Sequence, residues 1–412
     1  MSKTYTVIFL AFILLLASVF VYKLSQPTRK DSRAANKPSK TYQNDPVLEK
    51  VVAKTMSMSN NPSSAMNQWD WESGIALAGL MKAYEINKDE AILNYVDSWM
   101  KQRINDMSKP SGRVNPITMP RMYSTTSCED PKWASYSDWQ HQEYLKYGYW
   151  HPNRASPVWA LTLLYKYRPS KDYFNTISNH MDLMLNQACS ENGTILHTGR
   201  QVWDDTLAME IPLMAQYGKT FHKPEVIDRA VNEYLIHAQY LLDPQTGLWY
   251  HGYDFETKTN RTAGFWGRGN GWVVLSGLEL LDVLPINHSK RATIERILQR
   301  QLTTLTKLQN ANGMWHTVVS RPDFYVETSG TSAITAGLLY ASKMSWQNPD
   351  FAASAQRGYR AATSKVSSDG TVTGVSSGTG LPLQSIDQYN GIPATDIKPY
   401  GQGMFLMMMA RK

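Results

Sequence analysis

Four short segments repeat one pattern along this chain, and their spacing constrains the fold more than any other feature. Asn192-Gly-Thr-Ile-Leu-His197 resembles Thr246-Gly-Leu-Trp-Tyr-His251, both resemble Asn312-Gly-Met-Trp-His316, and Asp369-Gly-Thr-Val-Thr373 echoes them. Their glycines, at 193, 247, 313 and 370, lie 54, 66 and 57 residues apart. Apolar residues recur between them at three- and four-residue intervals, the mark of a helix. Such runs cover 90–104, 156–167, 172–187, 203–217, 224–242, 271–284, 289–308, 331–344, 350–363 and 400–410, preceded by Trp71, Ile75, Ala78, Leu80 and Met81. Few segments alternate with period two. Each glycine follows one helical run and precedes another, so a repeat of this length is a helical hairpin with its connections. Residues 61–412 number 352, or six units of about 59. Six hairpins closing into a ring, an all-α (α/α)6 barrel, fit that arithmetic, whereas open helical solenoids repeat at roughly 34–47 residues. In such a ring the glycine-led loops gather at one mouth and bring His197, His251 and His316 towards one cleft, although each histidine alone also has a structural reading. No HxH, HxxxH or CxxC spacing accompanies them, so no metal site is implied.

Charge is concentrated at the N-terminus. Residues 1–40 carry seven basic residues and one acid, a net of +6 against +7 for the whole chain, so residues 41–412 carry only +1. The body of the protein therefore gives no reason to expect nucleic-acid binding. Tyr5–Tyr22 is an uncharged, mostly apolar run of 18 residues, just long enough to span a bilayer. Residues 1–23 read as a signal anchor or a signal peptide, and the lack of a convincing small-x-small cleavage site after the run favours the uncleaved anchor. Residues 24–62, rich in Ser, Lys, Asn and Pro, read as a flexible basic stalk, and 63–412 as the barrel domain. A single-pass membrane protein with an extracytoplasmic domain follows. Arg29, Lys30 and Arg33 lie on the far side of the span and pull the orientation the other way. Cys128 and Cys189 form either a disulfide or two buried thiols.

Three segments carry groups that could do chemistry. Trp266-Gly-Arg-Gly-Asn-Gly-Trp272 offers two indoles, a guanidinium and an amide around three glycines. Indole faces stack on sugar rings and arginine clamps a carboxylate bidentately; the simpler reading is a glycine-rich turn with two core tryptophans. Gln201-Val-Trp-Asp-Asp-Thr206 opens a helix, where the adjacent Asp204 and Asp205 side chains diverge by about 100°. One can face a cleft while the other serves the helix N-terminus. An acid partly desolvated beside Trp203 is expected to hold its proton above the reference pKa of about 3.9, as a general acid requires. Glu327-Thr-Ser-Gly-Thr-Ser332 reads as a cap, and Trp69-Asp-Trp71 as either a cleft rim or a helix start.

These segments resemble the unsaturated uronyl hydrolases of glycoside hydrolase families 88 and 105, especially the unsaturated rhamnogalacturonyl hydrolases. The matching stretches are Trp203-Asp-Asp-Thr-Leu-Ala-Met209, Asp243-Pro-Gln-Thr-Gly-Leu-Trp-Tyr-His-Gly-Tyr-Asp254, Trp266 to Trp272, Glu327-Thr-Ser329 and Tyr400-Gly-Gln-Gly403, in family order across 66–410. The resemblance implies an (α/α)6 barrel without cofactor, acting on an oligosaccharide that bears a 4,5-unsaturated uronic acid, as in pectin degradation. An aspartic acid, here Asp205, protonates C4 of the vinyl ether, and water adds at C5. His197, Trp203, His251, Trp266, Arg268 and Trp272 match pocket positions, with Arg268 the expected partner of the uronate carboxylate. The family's second cleft aspartate is missing: Tyr149-Trp-His-Pro-Asn-Arg-Ala155 offers Asn153 in its place, or Asp138 serves. That departure keeps two alternatives in view, another (α/α)6 glycosidase and a non-catalytic, membrane-tethered sugar-binding homologue.

Overall fold

Two kinds of helix alternate along the chain. In the computed structural model, which describes residues 45–108, 152–185, 192–262, 264–344, 346, 348–383, 385–394 and 397–412, the described residues form twelve α-helices. The odd-numbered ones are α1 (Pro46–Ser57), α3 (Glu90–Ser108), α5 (Lys171–Leu185), α7 (Pro224–Leu241), α9 (Arg291–Lys307) and α11 (Asp350–Thr363). These are amphipathic: α11, for example, buries Phe351, Ser354, Ala355, Gly358, Ala361 and Ala362, one stripe at helical spacing. The even-numbered ones are α2 (Trp71–Asn87), α4 (Ala155–Tyr165), α6 (Asp204–Thr220), α8 (Gly267–Val283), α10 (Thr328–Ala341) and α12 (Pro399–Met409). Burial here runs almost all round, and in α12 every residue is buried. A helix covered on all faces must sit inside another layer.

The packing follows from that difference. Each even-numbered helix packs against the next, α2 on α4 and so on to α12, and α12 packs back on α2. This is the closed inner ring of an (α/α)6 barrel. Its closing seam has almost no side chain in it: a Cβ on Gly403 would lie 2.3 Å from the Ile75 carbonyl oxygen, and one on Gly79 would lie 2.6 Å from Gly403. The outer layer supplies one partner to each inner helix. Five hairpins are sequential, from α2–α3 to α10–α11, but the sixth is split between the two ends of the chain, because α12 takes α1 as its outer neighbour.

The expected stalk is corrected here. Its second half carries α1, capped by the Asp45 carboxylate at the Val47 and Leu48 amides and burying Leu48, Val51, Val52 and Thr55. Flanking polarity and a length of one dozen residues hid it in the sequence. The repeated glycines prove to be the joints of the barrel. Gly193, Gly247, Gly313 and Gly370 all have positive φ, between 77° and 88°, which only glycine adopts freely. Each lies against an outer helix: Gly193 near Arg229, Gly247 on Arg300, Gly313 on Arg357 and Gly370 on Lys50. The amide two residues later is then held by a polar side chain. Ile195 donates to Glu233, Trp249 to Asn270, Trp315 to Thr331 and Val372 to Gln402.

Two small antiparallel sheets interrupt the helices. One has the order β1 (Gln201–Trp203), β2 (Gly252–Asp254), β3 (Thr259–Asn260); the other pairs β4 (Trp315–His316) with β5 (Val326–Glu327). Strands of two or three residues are too short to show alternation, so sequence reading passed over them.

The N-terminal run Tyr5–Tyr22, Cys128, Asp138 and Cys189 lie outside the described residues. Among the described residues no helix is long and apolar enough to cross a membrane.

Two outcomes are expected. A chain shortened to begin at residue 63 loses α1, and burying Leu48, Val51 and Val52 is worth roughly 1.5–3 kcal/mol each; its denaturant midpoint falls sharply against a chain that begins at residue 45. Gly370→Ala, at φ 87° and with a Cβ 2.1 Å from the Lys50 oxygen, costs about 1–3 kcal/mol. Gly380→Ala, in open space, stays within about 0.5 kcal/mol in the same measurement.

Candidate active site

All six inner helices begin at the same mouth. Asp70 caps α2 and faces Arg154, at the start of α4. The backbone of Gly269 in α8 touches the Asp204 carboxylate at the start of α6, and Gly330 in α10 touches Gly267. Arg268 lies 5.1 Å from the Tyr400 ring at the start of α12. Each helix N-terminus carries roughly half a positive charge and unpaired amides, so six together favour an anionic ligand at this end.

The sheet brings the acids to their histidine. Trp203 pairs with Gly252 across β1 and β2, so the next residue on one strand meets the previous residue on the other. The Asp204 amide donates to the His251 carbonyl at 2.9 Å. The chain then turns into α6 and the two aspartates diverge. Asp205 is 15 % exposed, and its Oδ2 accepts from His251 Nε2 at 3.0 Å. Asp204 is fully buried, and its carboxylate meets Asp205 alone, at that residue's carboxyl and amide. On its far side, His251 Nδ1 lies 2.9 Å from the Tyr389 hydroxyl, and that hydroxyl lies 3.1 Å from Thr262. Thr262, Tyr389, His251 and Asp205 thus form one hydrogen-bonded chain.

Aromatic rings surround this hydrogen-bonded chain. His197 stacks on Trp203 at 4.2 Å, and Trp203 meets His251 edge-on at 5.5 Å. Trp266 lies 4.4 Å from His251, and Tyr389 lies 6.0 Å from His251 and 6.2 Å from Trp266. The His197 ring is fixed by Thr206, 2.9 Å from its Nδ1. Of the three expected indoles, only Trp203 keeps some exposed surface, at 8 %, while Trp266 is at 1 % and Trp272 at 0 %.

The electrostatics reverse one expectation. Burial alone would push the Asp205 carboxyl up, but the hydrogen bond from His251, with the charges of His251 and His197, holds it below the usual carboxylate range. The raised carboxyl is Asp204, lifted well above that range by burial and by the neighbouring Asp205. Burial likewise keeps the Tyr389 phenol protonated. Asp204, Asp205 and His251 place one ligand atom each within 4.8 Å of one another. Both nitrogens of the imidazole are already engaged, and the trio reads as an acid–imidazole relay.

Three further expectations are corrected. Arg268, the expected carboxylate clamp, is bonded to protein oxygens instead, with Glu327 Oε1 3.8 Å from its Nη1. Its guanidinium is 1 % exposed, and it donates to the Ser376 carbonyl and hydroxyl, the Ser377 carbonyl and the Thr379 hydroxyl. It lies between the Trp266 and Tyr400 rings, 4.5 and 5.1 Å from their centroids. Arg268 therefore fastens the 376–379 loop to the mouth. Trp272 is a core residue, edge-on to Trp71 at 6.4 Å. His316 does not join the cleft pair, because the Phe324 carbonyl and the Asn310 amide occupy its two nitrogens. Asn153 lies half-buried in the turn Pro152–Arg154, which packs on α2 and α6. Glu327 is a cap, accepting from Ser329, Gly330 and Ser376. Tyr389 was missed: it reaches His251 from 138 residues away, in the four-residue turn Ile386–Tyr389.

Comparison with known proteins agrees with this architecture. The unsaturated rhamnogalacturonyl hydrolase YesR of Bacillus subtilis is 25% identical over 373 residues, which cover 88% of this chain and 93% of that protein. An unsaturated 3S-rhamnoglycuronyl hydrolase of Alteromonas is 27% identical over 256 residues, 58% of this chain and 60% of that one. Among solved structures, a possible member of the GH105 family from Salmonella enterica superposes with a TM-score of 0.75 at 23% identity, covering 89% and 92% of the two chains. The sequence profile described as Glycosyl Hydrolase Family 88 matches residues 47–411, from the second residue of α1 to two residues past α12. On that span, which takes in every helix of the ring, the chain belongs to Glycosyl Hydrolase Family 88.

Proposed function

We propose that the protein removes a 4,5-unsaturated uronic acid from the non-reducing end of lyase-generated oligosaccharides, of the unsaturated rhamnogalacturonyl kind, with Asp205 as its acid and base. The observation that carries this reading is the Asp205–His251 contact. It is a single part-exposed carboxylate at a helix N-terminus, bonded at 3.0 Å to a buried imidazole inside an aromatic wall. The activity named for YesR supports the substrate class.

The chemistry asks little of a second acid. A vinyl ether needs one proton delivered to C4, after which the ring oxygen shares the positive charge left at C5. Water then adds at C5 and gives up a proton, and the resulting hemiketal opens and releases the next sugar. One carboxyl on one face does both jobs in turn, first as acid and then as base. A saturated glycoside instead needs two carboxyls flanking the bond, about 5–10 Å apart. Asp204 cannot take that second place, because it is buried behind Asp205. The oriented His251 holds Asp205 in one rotamer and stabilises its charged form once the proton has left. Trp203, backed by His197, presents an indole edge to the sugar. The helix N-termini, with Arg154 and Lys398 near α2, supply the field that draws the uronate in, and Arg268 adds its charge from behind the wall.

The N-terminal segment belongs to the proposal too. We take Tyr5–Tyr22 as a single membrane anchor that carries the hydrolase domain on the extracytoplasmic side.

Three outcomes are expected. Purified protein mixed with lyase-digested rhamnogalacturonan removes the ultraviolet absorbance of the conjugated double bond; a folded preparation that leaves every unsaturated disaccharide untouched sinks the reading. Asp205→Asn lowers kcat by about 10²–10⁴ with an unchanged far-UV spectrum, and retention of most of the activity removes Asp205 from its role. Full-length chain sediments with membranes and resists alkaline carbonate, while a chain that begins at residue 45 stays in the supernatant; equal partition of the two removes the anchor.

A further inference from the structure

The mechanism leaves one buried group unused. Asp204 has no exposed surface, no residue other than Asp205 bonds to its carboxylate, and Asp205 does so through its own carboxyl and amide. The first turn of α8 is built around it: a Cβ on Gly269 would lie 2.0 Å from Asp204 Oδ2 and 2.7 Å from the Trp266 ring, so a larger residue there has to displace one of them. A buried carboxyl whose one side-chain partner is another carboxyl calls for a reason. An ionised carboxylate in that position would be very costly, so Asp204 is neutral at rest. Its ligand oxygen lies within 4.8 Å of those of Asp205 and His251, and two carboxyls this close do not both ionise. The charged one is Asp205, which has His251 as its donor. This resting state puts the proton on the wrong aspartate for the proposed reaction, in which Asp205 must be the acid.

We propose that Asp204 and Asp205 share one proton, which Asp204 stores behind the site and passes to Asp205 when an anionic sugar binds, so that Asp204 is the positioning residue that arms the acid. The proposal rests on the hydrolase reading above.

The step balances. Transfer leaves Asp204 as carboxylate and Asp205 as carboxylic acid, and the net charge of the pair stays at −1. Asp205 then gives its proton to C4, the π pair of the double bond forms the new C–H bond, and water adds at C5. The proton lost by that water returns to the pair, which ends as it began. Binding supplies the push, because the sugar's own carboxylate disfavours a second negative charge on Asp205. Arg268 stabilises the charge on Asp204 while it is ionised. The other groups that face the pair are His251, from the loop before β2, His197, and the neutral Tyr389 phenol. Arg154, in the turn packed on α6, faces Asp70 instead.

Asp204→Asn keeps the shape and removes the stored proton, and two measurements read the result. The first is the pH profile of kcat. Without a neighbouring carboxyl to raise it, the pair's upper apparent pKa falls; each unit of fall costs about tenfold on the alkaline side, while acid restores the rate. A uniform loss at every pH, or an unmoved profile, overturns the proposal. The second needs no substrate. Asp204 binds its proton more tightly folded than unfolded, so its contribution to stability is complete below about pH 4 and is lost as pH rises towards its folded pKa. Relative to wild type, Tm of Asp204→Asn therefore climbs between pH 4 and pH 8, whatever fixed cost the amide brings. Parallel Tm curves overturn the stored proton. If wild type hydrolyses nothing while the Tm curves diverge, the reaction is wrong and the one-proton pair stands.

Discussion

Closure of the inner ring is the constraint on which everything else depends. The backbone of α2 meets that of α12 at Gly79 and Gly403 with no room for a side chain, and that contact joins the first inner helix to the last. An open array of hairpins has two exposed inner faces. A closed one has none, and it forces six helix N-termini to share one opening. The site follows from this geometry before any particular side chain is considered. A mouth ringed by unpaired amides and positive dipole ends can hold acids in charged or hydrogen-bonded states and attract an anion.

The opposite end shows the same physics with the signs exchanged. There the inner helices present their C-termini, and cations gather. Lys82 of α2 pairs with Glu279 of α8 at 2.6 Å, and Arg411, just past α12, bonds to Glu279 and Asp282. Burial alone would lower the Lys82 ammonium, but Glu279 and its acidic neighbours outweigh it and raise it. Replacing a buried pair of this kind with apolar residues is often neutral for stability, whereas removing one partner is not. The network ties α2, α8 and the chain end past α12 together at this end of the ring.

What sequence reading could reach depended on how far apart the partners lie. Repeated glycines, outer helices with one buried stripe, and the Asp204–Asp205 divergence are local properties, and local periodicity shows them. Helix α1 escaped because its apolar stripe is short and its partner, α12, lies at the other end of the chain. Tyr389 escaped for the same reason, since nothing around it marks it as the hydrogen-bond partner of His251. Arg268 was read by its chemistry, which suits a carboxylate, but its acceptors sit 108 to 111 residues downstream. A guanidinium is satisfied by whichever acceptors the fold brings, and here carbonyl and hydroxyl oxygens fill the place kept for a ligand.

The glycine-rich heptapeptide Trp266–Trp272 is best understood through what it leaves no room for. Gly267 approaches the His316 carbonyl, Gly269 the Asp204 carboxylate, and Gly271 the side chain of Ala333. Asn270 spends its amide on both backbone groups of Trp249. Each residue of the segment brings a neighbouring hairpin inward, and none needs to touch a sugar to be indispensable. Its contribution to the site is the buried setting of Asp204, with the Arg268 guanidinium close enough to act on it. Desolvation there raises the Asp204 carboxyl, and the close approach at Gly269 helps to bury it. A methyl group at that position would push α8 away from α6, admit space or water beside Asp204, and let the two aspartates ionise independently.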